Sequence, residues 1–179
     1  MLNTEKTAVV FIDVQEKLTR VMYEKEKLIE NLQKLIKGLK LLNIPIIVTE
    51  QNPKGLGPTV PDIAPLLSDS KPIIKFSFSC CGEPPFLREL AELNRKQIII
   101  VGIETHVCVY QTAVDLIEAG YEVHIPTDCV SSRTLENKAV ALDKMKVEGA
   151  KLTSVEILLF ELLKTATSPK FKEMSQIVK

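Results

Sequence analysis

The sequence predicts an α/β protein, a three-layer α/β/α sandwich of Rossmann-like layout around a mostly parallel sheet of about six strands. Three observations point there. Short runs rich in Val and Ile recur along the chain, as expected of strands buried on both faces. Longer segments with apolar residues at helical spacing separate those runs. Regular strand–helix alternation builds parallel sheets through crossover helices. At 179 residues and 45% hydrophobic composition, residues 1–179 fit one domain with a sizeable core.

The first strand covers residues 8–12, where Ala8-Val9-Val10-Phe11-Ile12 carries no polar side chain. Residues 25–42 read as a helix. Leu28, Ile29, Leu32, Leu35, Ile36, Leu39 and Leu42 form its apolar stripe, and Lys25, Lys27, Lys34, Lys37 and Lys40 its wet face. Asn43-Ile44-Pro45 breaks that helix, and residues 44–49 read as the second strand. A loop rich in Pro and Gly spans 51–65, and residues 77–85 form another; long loops at strand ends commonly shape substrate sites. Strands at 72–75 and 97–101 bracket a helix at 85–93. A helix at 105–119 stops at Gly120, and a strand at 122–125 follows. Ser131 to Thr134 offer caps for a helix at 135–148. A brief strand at 151–153 leads into a helix at 155–163, and residues 168–179 suit either a short amphipathic helix or a frayed end.

Charge and cysteine usage narrow the function classes. With 23 basic and 23 acidic side chains the net charge is zero, which argues against nucleic acid or a membrane surface as partner. No apolar run approaches the ~18 residues of a membrane span, and the polar start Met1 to Thr7 shows no signal peptide. Four cysteines without such a signal suggest free thiols in a cytoplasmic, reducing setting.

One cysteine stands apart. In Gly102-Ile103-Glu104-Thr105-His106-Val107-Cys108 the apolar strand turns sharply into a helix whose first turn carries Cys108. A helix N-terminus favours thiolate and offers free N–H groups to an oxyanion. Asp13 closes the first strand and Lys75 the third. In a parallel sheet the carboxyl ends of strands converge on one crevice, so Asp13, Lys75 and Cys108 should meet there. Cys80, Cys81 and Cys129 read instead as small buried hydrophobes. The two histidines do not suit a Cys–His dyad: His106 lies two residues from Cys108 on the same helix, where side chains do not face one another, and His124 lies inside a strand.

Asp13-Val14-Gln15, an isolated Lys75 and Gly102-Ile103-Glu104-Thr105-His106-Val107-Cys108, in that order, resemble the isochorismatase-like cysteine hydrolases, which include nicotinamidases and N-carbamoylsarcosine amidase. The resemblance runs from about Thr7 to Leu163. It implies Cys108 as nucleophile, Asp13 as acid/base and Lys75 as electrostatic partner. It also implies backbone N–H groups of Glu104 and Cys108 at the oxyanion and a cis peptide at Ile103–Glu104. Gln15, Gln51, Phe76 and Thr105 are candidates for substrate contacts, and a homo-oligomer is expected. Nicotinamidases bind a metal through an Asp-x-His pair after the second strand; Thr49-Glu50-Gln51-Asn52-Pro53-Lys54-Gly55-Leu56-Gly57 has neither residue, so no metal and no cofactor is expected. That segment resembles the isochorismatase-domain-containing subgroup.

The expected function is thus hydrolysis of a small amide or related carbonyl compound through a thioester. Two alternatives predict other behaviour: a binding or interaction module with slow or no turnover, and a redox sensor whose Cys108 forms a reversible disulfide.

Overall fold

A computed structural model describes residues 1–179. Seven strands form one parallel sheet: β1 (Thr7–Ile12), β2 (Ile46–Gln51), β3 (Ile73–Lys75), β4 (Gln97–Ile103), β5 (Glu122–Pro126), β6 (Val130–Ser131) and β7 (Lys151–Thr153). Their order is β3-β2-β1-β4-β5-β7, with β6 paired to the end of β4. The chain builds outward from β1 to one edge, then restarts at β4 and builds to the other. The boundary between β1 and β4 is therefore the topological switch point, where open α/β sheets bind ligands.

Helices α1 (Glu16–Thr19), α2 (Lys25–Leu41), α3 (Pro53–Leu56), α4 (Pro84–Leu93), α5 (Tyr110–Glu118), α6 (Leu135–Val147), α7 (Val155–Leu163) and α8 (Phe171–Ile177) cover the sheet and its loops. Alternate strand residues feed two cores. Val9 and Phe11 of β1 and Ile99 and Val101 of β4 pack with Leu32, Leu35 and Leu39 of α2 and Leu158 and Leu159 of α7. Val10 and Ile12 of β1 and Ile98 and Ile100 of β4 pack with Phe86 of α4, Ala113 and Leu116 of α5 and Met145 of α6. Continuous apolar strands are what two buried faces require.

Several boundaries depart from the sequence reading. The sheet has seven strands, not about six, because β6 is only two residues long and leaves no periodic signal. Strand β2 starts at Ile46, since Ile44 completes the turn after α2 with its N–H on Leu39 O. The helix expected from residue 105 begins as a π-helical turn, Thr105–Val109, before α5. The Pro- and Gly-rich loop contains α3 and a 3-10 turn, Ala64–Leu67. Thr134 caps α6 through Asn137 N–H, and Gly120 takes φ 82° after α5, both as the turn chemistry requires. The tail is helical as α8, anchored by the buried Met174.

The β1–β4 seam tolerates no side chain at one point. Gly102 has φ 114°, and a Cβ there would lie 2.0 Å from Ile12 O. Gly102→Ala combines left-handed strain with a backbone collision. It should lower stability by about 3 kcal/mol or more in urea unfolding; a loss under about 1 kcal/mol would show that the seam can open.

Candidate active site

The switch-point crevice gathers the expected residues. Asp13 follows β1 in a left-handed conformation, φ 52°, and is fully buried. Lys75 ends the edge strand β3 and is also fully buried, its Nζ 2.7 Å from Asp13 Oδ2. Cys108, 6% exposed, comes from the π-helical turn after β4, close enough for its thiol to feel both charges. The Ile103–Glu104 peptide is cis, at the bond the family resemblance pointed to.

Lys75 is held by an unusually full set of acceptors. Besides Asp13, Nζ lies 2.7 Å from Gln51 Oε1, 3.0 Å from Phe78 O and 3.1 Å from Ser77 O. Those three oxygens accept its hydrogen bonds, and an ammonium has only three protons. Asp13 Oδ2 consequently feels the positive charge but has no hydrogen bond of good geometry, whereas Oδ1 accepts from Thr49 Oγ1 at 2.8 Å. One carboxylate oxygen is anchored and the other is left open.

Supporting residues fix this geometry. Gln51 pairs in register with Lys75 across β2 and β3 and donates from Nε2 to Phe76 O. Gln15, fully buried, accepts Gln51 N–H at 2.7 Å and donates from Nε2 to Gln51 O and Gly57 O. Glu83 accepts from Phe76 N, Ser77 N and Ser77 Oγ, which aims the Ser77 and Phe78 carbonyls at Lys75. Those hydrogen bonds, the Ser77 hydroxyl first, hold Glu83 below the ordinary carboxylate value.

The residues expected to contact substrate differ in their settings. Gln15 and Gln51 have their amide groups committed to the loops and to Lys75, so they position the lysine. Phe76 is 71% exposed and forms no enclosing wall within the chain. Thr105 opens the turn that carries Cys108 and is fully buried, with its hydroxyl unpartnered. Sequence reasoning missed Thr49 and Glu83. Thr49 could have been found, since it is a polar residue at the end of an apolar strand; Glu83 carries no local signal.

The backbone N–H groups of Glu104 and Cys108, which the resemblance assigns to an oxyanion, lie on the turn between β4 and α5. Glu104 N–H has no acceptor in the chain, and Glu104 O receives Val107 N–H and Val109 N–H, leaving Cys108 N–H off that carbonyl. At the rim, Arg133 Nε donates to Glu104 Oε2 at 2.9 Å, and His106 Nδ1 lies 2.9 Å from Ser132 Oγ. His124 contacts Glu122, not Cys108. Near the end of β2, Glu50 accepts hydrogen bonds from Thr59 N and Thr59 Oγ1.

One electrostatic expectation is overturned. Burial, then the Asp13 carboxylate, pushes the Cys108 thiol up to about 11 despite Lys75, so the resting group is a thiol, not the thiolate that a helix N-terminus and a lysine suggested. Burial likewise pushes Asp13 up, against the pull of Lys75 and Thr49. It also opposes the Lys75 charge, but Asp13 and Cys108 keep that pKa above the ordinary lysine value. The other three cysteines are free, and burial raises each of them too. No helix is long and apolar enough to cross a membrane.

Comparison with known proteins extends these findings. Residues 7–157 match the isochorismatase domain model. An isochorismatase domain-containing protein 2 from Xenopus laevis is 39% identical, over 97% of this chain and 84% of its own. The solved structure of a MAR1 ribonuclease from Caenorhabditis elegans superposes with a TM-score of 0.93 at 38% identity, covering 99% of this chain and 91% of that one. YcaC from Escherichia coli, described as an octameric hydrolase of unknown specificity, superposes with a TM-score of 0.88 at 28% identity, over 92% and 83% of the two chains.

The raised thiol is directly testable. Alkylation of Cys108 by iodoacetamide, mapped by mass spectrometry against pH, should climb toward a midpoint near 11. Lys75→Met should move that midpoint higher, because the only adjacent positive charge is lost. A midpoint at or below the ordinary thiol value of 9.0, or one indifferent to Lys75→Met, would contradict the assigned electrostatics.

Proposed function

The chain belongs to the isochorismatase domain family of hydrolases, and on that premise we propose that it hydrolyses a small amide or related carbonyl compound through a thioester on Cys108. The observation that supports this reading most is the meeting of Cys108 with a buried Asp13–Lys75 pair whose Oδ2 has no aligned hydrogen bond. Cys108 Sγ attacks the carbonyl carbon while its proton passes to Asp13 Oδ2. The N–H groups of Glu104 and Cys108 receive the oxyanion. Collapse breaks the C–N bond, the amine leaves with the proton from Asp13, and the acyl group stays on sulfur. Water then attacks the thioester, giving its proton to Asp13, which returns it to the departing thiol. Lys75 compensates the negative charge wherever it resides. These steps use the chain's own groups and no cofactor.

Zero net charge and a nucleophile 6% exposed favour a small substrate over RNA, although the C. elegans relative bears a ribonuclease name. Four free thiols suit a cytoplasmic setting. The raised Cys108 thiol favours a second reading, a binding module that turns over slowly or not at all.

A panel of small primary amides and ureas, followed by ammonia release and intact mass, separates the two. The hydrolase reading expects turnover of at least one compound and an acyl adduct on Cys108. Cys108→Ser should cut turnover by about a thousandfold or more with the fold unchanged by circular dichroism. Binding without turnover, or full turnover in Cys108→Ser, overturns it.

The same surface suggests assembly. Ile74, Phe76 and Phe78, on and just after the edge strand β3, are 53%, 71% and 56% exposed beside Lys75. Apolar exposure on a sheet edge is what a subunit contact covers, and the E. coli relative is described as octameric. Sedimentation equilibrium should show a homo-oligomer that Phe76→Glu weakens; a monomer at micromolar concentration would remove this part of the reading.

A further inference from the structure

Next to the triad lies a chain of hydrogen bonds that the chemistry above does not use. Thr49, buried within β2, donates from Oγ1 to Asp13 Oδ1 at 2.8 Å. Its backbone O also accepts Asp13 N–H at 3.3 Å. Thr49 Oγ1 is in turn reached by Cys80 Sγ as donor, at 3.9 Å. Cys80 is fully buried in the 3-10 turn Cys80–Gly82, with its N–H on Thr112 Oγ1 at 3.0 Å. The preceding Ser79 Oγ donates to Asp115 Oδ2 at 2.5 Å. Thr112 and Asp115 both belong to α5, which continues the turn that carries Cys108. The helix behind the nucleophile thus reaches the base by a second route, through Ser79-Cys80 and Thr49.

A hydroxyl has one proton to give. Because Cys80 approaches as a donor, the Thr49 proton is directed to Asp13 Oδ1. Burial pushes Cys80 up to about 12, which keeps its proton in place. Oδ1 is then fully occupied as an anchored acceptor, and Oδ2, beside Lys75 but without an aligned donor, is the oxygen left to exchange a proton. We propose that Thr49 is a positioning residue that fixes which oxygen of Asp13 acts as the base, with Cys80 orienting the Thr49 hydroxyl. This rests on the assignment of Asp13 as the base for Cys108 and adds residues that the triad itself does not include. Thr49 touches no reacting atom; it acts only through Asp13.

The test reads the carboxylate directly and needs no substrate. Carbon-13 labelled aspartate follows Asp13 by NMR against pH, with Asp13→Asn identifying its resonance. Thr49→Val removes the hydroxyl at nearly constant volume, so the anion loses a donor and the Asp13 midpoint should rise by about one pH unit, tenfold in proton affinity. Thr49→Ser should return the midpoint to within about 0.3 of the unmodified protein, and Cys80→Ala should give a smaller rise of the same sign. The pH dependence of Cys108 alkylation by iodoacetamide should change in Thr49→Val and recover in Thr49→Ser. Should Thr49→Val fail to fold, Thr49→Ser and Cys80→Ala carry the test: a Cys80→Ala midpoint identical to the unmodified protein then overturns the proposal. An unchanged midpoint in a folded Thr49→Val also overturns it. If Asp13→Asn alters the pH dependence of Cys108 alkylation while Thr49→Val does not, only the positioning role falls; if neither alters it, Asp13 is not the base and both readings fall.

Discussion

The buried ion pair between Asp13 and Lys75 constrains everything around it. Both side chains are inaccessible to solvent, and transferring such charges from water costs on the order of several kcal/mol each. Mutual attraction at 2.7 Å offsets part of that cost, but the surrounding polar groups decide whether the pair survives. Each N–H of Lys75 needs an acceptor, and Gln51, Ser77 and Phe78 provide them. Each support needs its own: Gln15 holds Gln51, and Glu83 holds the turn that presents the two carbonyls. Loops that read as irregular are ordered by the demand to solvate one ammonium without water.

Topology makes that demand possible. Lys75 ends an edge strand two strand spacings from β1, and its long stem reaches back across β2 to the switch point. Asp13 and Gly102 flank the β1–β4 seam, where the absence of a Cβ at Gly102 lets the chains approach. The turn after β4 then delivers Cys108 over the carboxylate. Strand ends, not local sequence motifs, bring together residues separated by 33 to 95 positions along the chain.

The layered fold and the meeting of Asp13, Lys75 and Cys108 were legible in the sequence because both rest on periodicity and on strand-end polarity. Val9, Phe11, Ile99 and Val101 announce a doubly buried sheet, and Asp13, Lys75 and Cys108 each interrupt or follow such a run. What escaped has identifiable causes. β6 is too short to carry a period, and the π-helical turn at Thr105–Val109 shows the same side-chain pattern as an ordinary helix start. That Gln15 and Gln51 bond the loops and Lys75 was not legible, since sequence reveals proximity before it reveals where an amide points. The Cys108 thiol was misjudged because the lysine and the helix terminus are visible in sequence, whereas the depth of burial is not.

A thiol that stays protonated is compatible with nucleophilic work once the charges are counted. At rest the cluster holds an ammonium, a carboxylate and a neutral thiol; after proton transfer it holds an ammonium, a carboxylic acid and a thiolate. The net charge is zero in both. The low dielectric that penalises creation of an isolated thiolate, and raises Cys108, hardly penalises moving an existing negative charge from Asp13 to sulfur beside the same ammonium. In the proposed mechanism Lys75 is the fixed counter-ion of a mobile anion. Its acceptors must be supplied by groups that do not themselves titrate, an amide and two backbone carbonyls, so that the position of the ammonium is independent of where the proton resides.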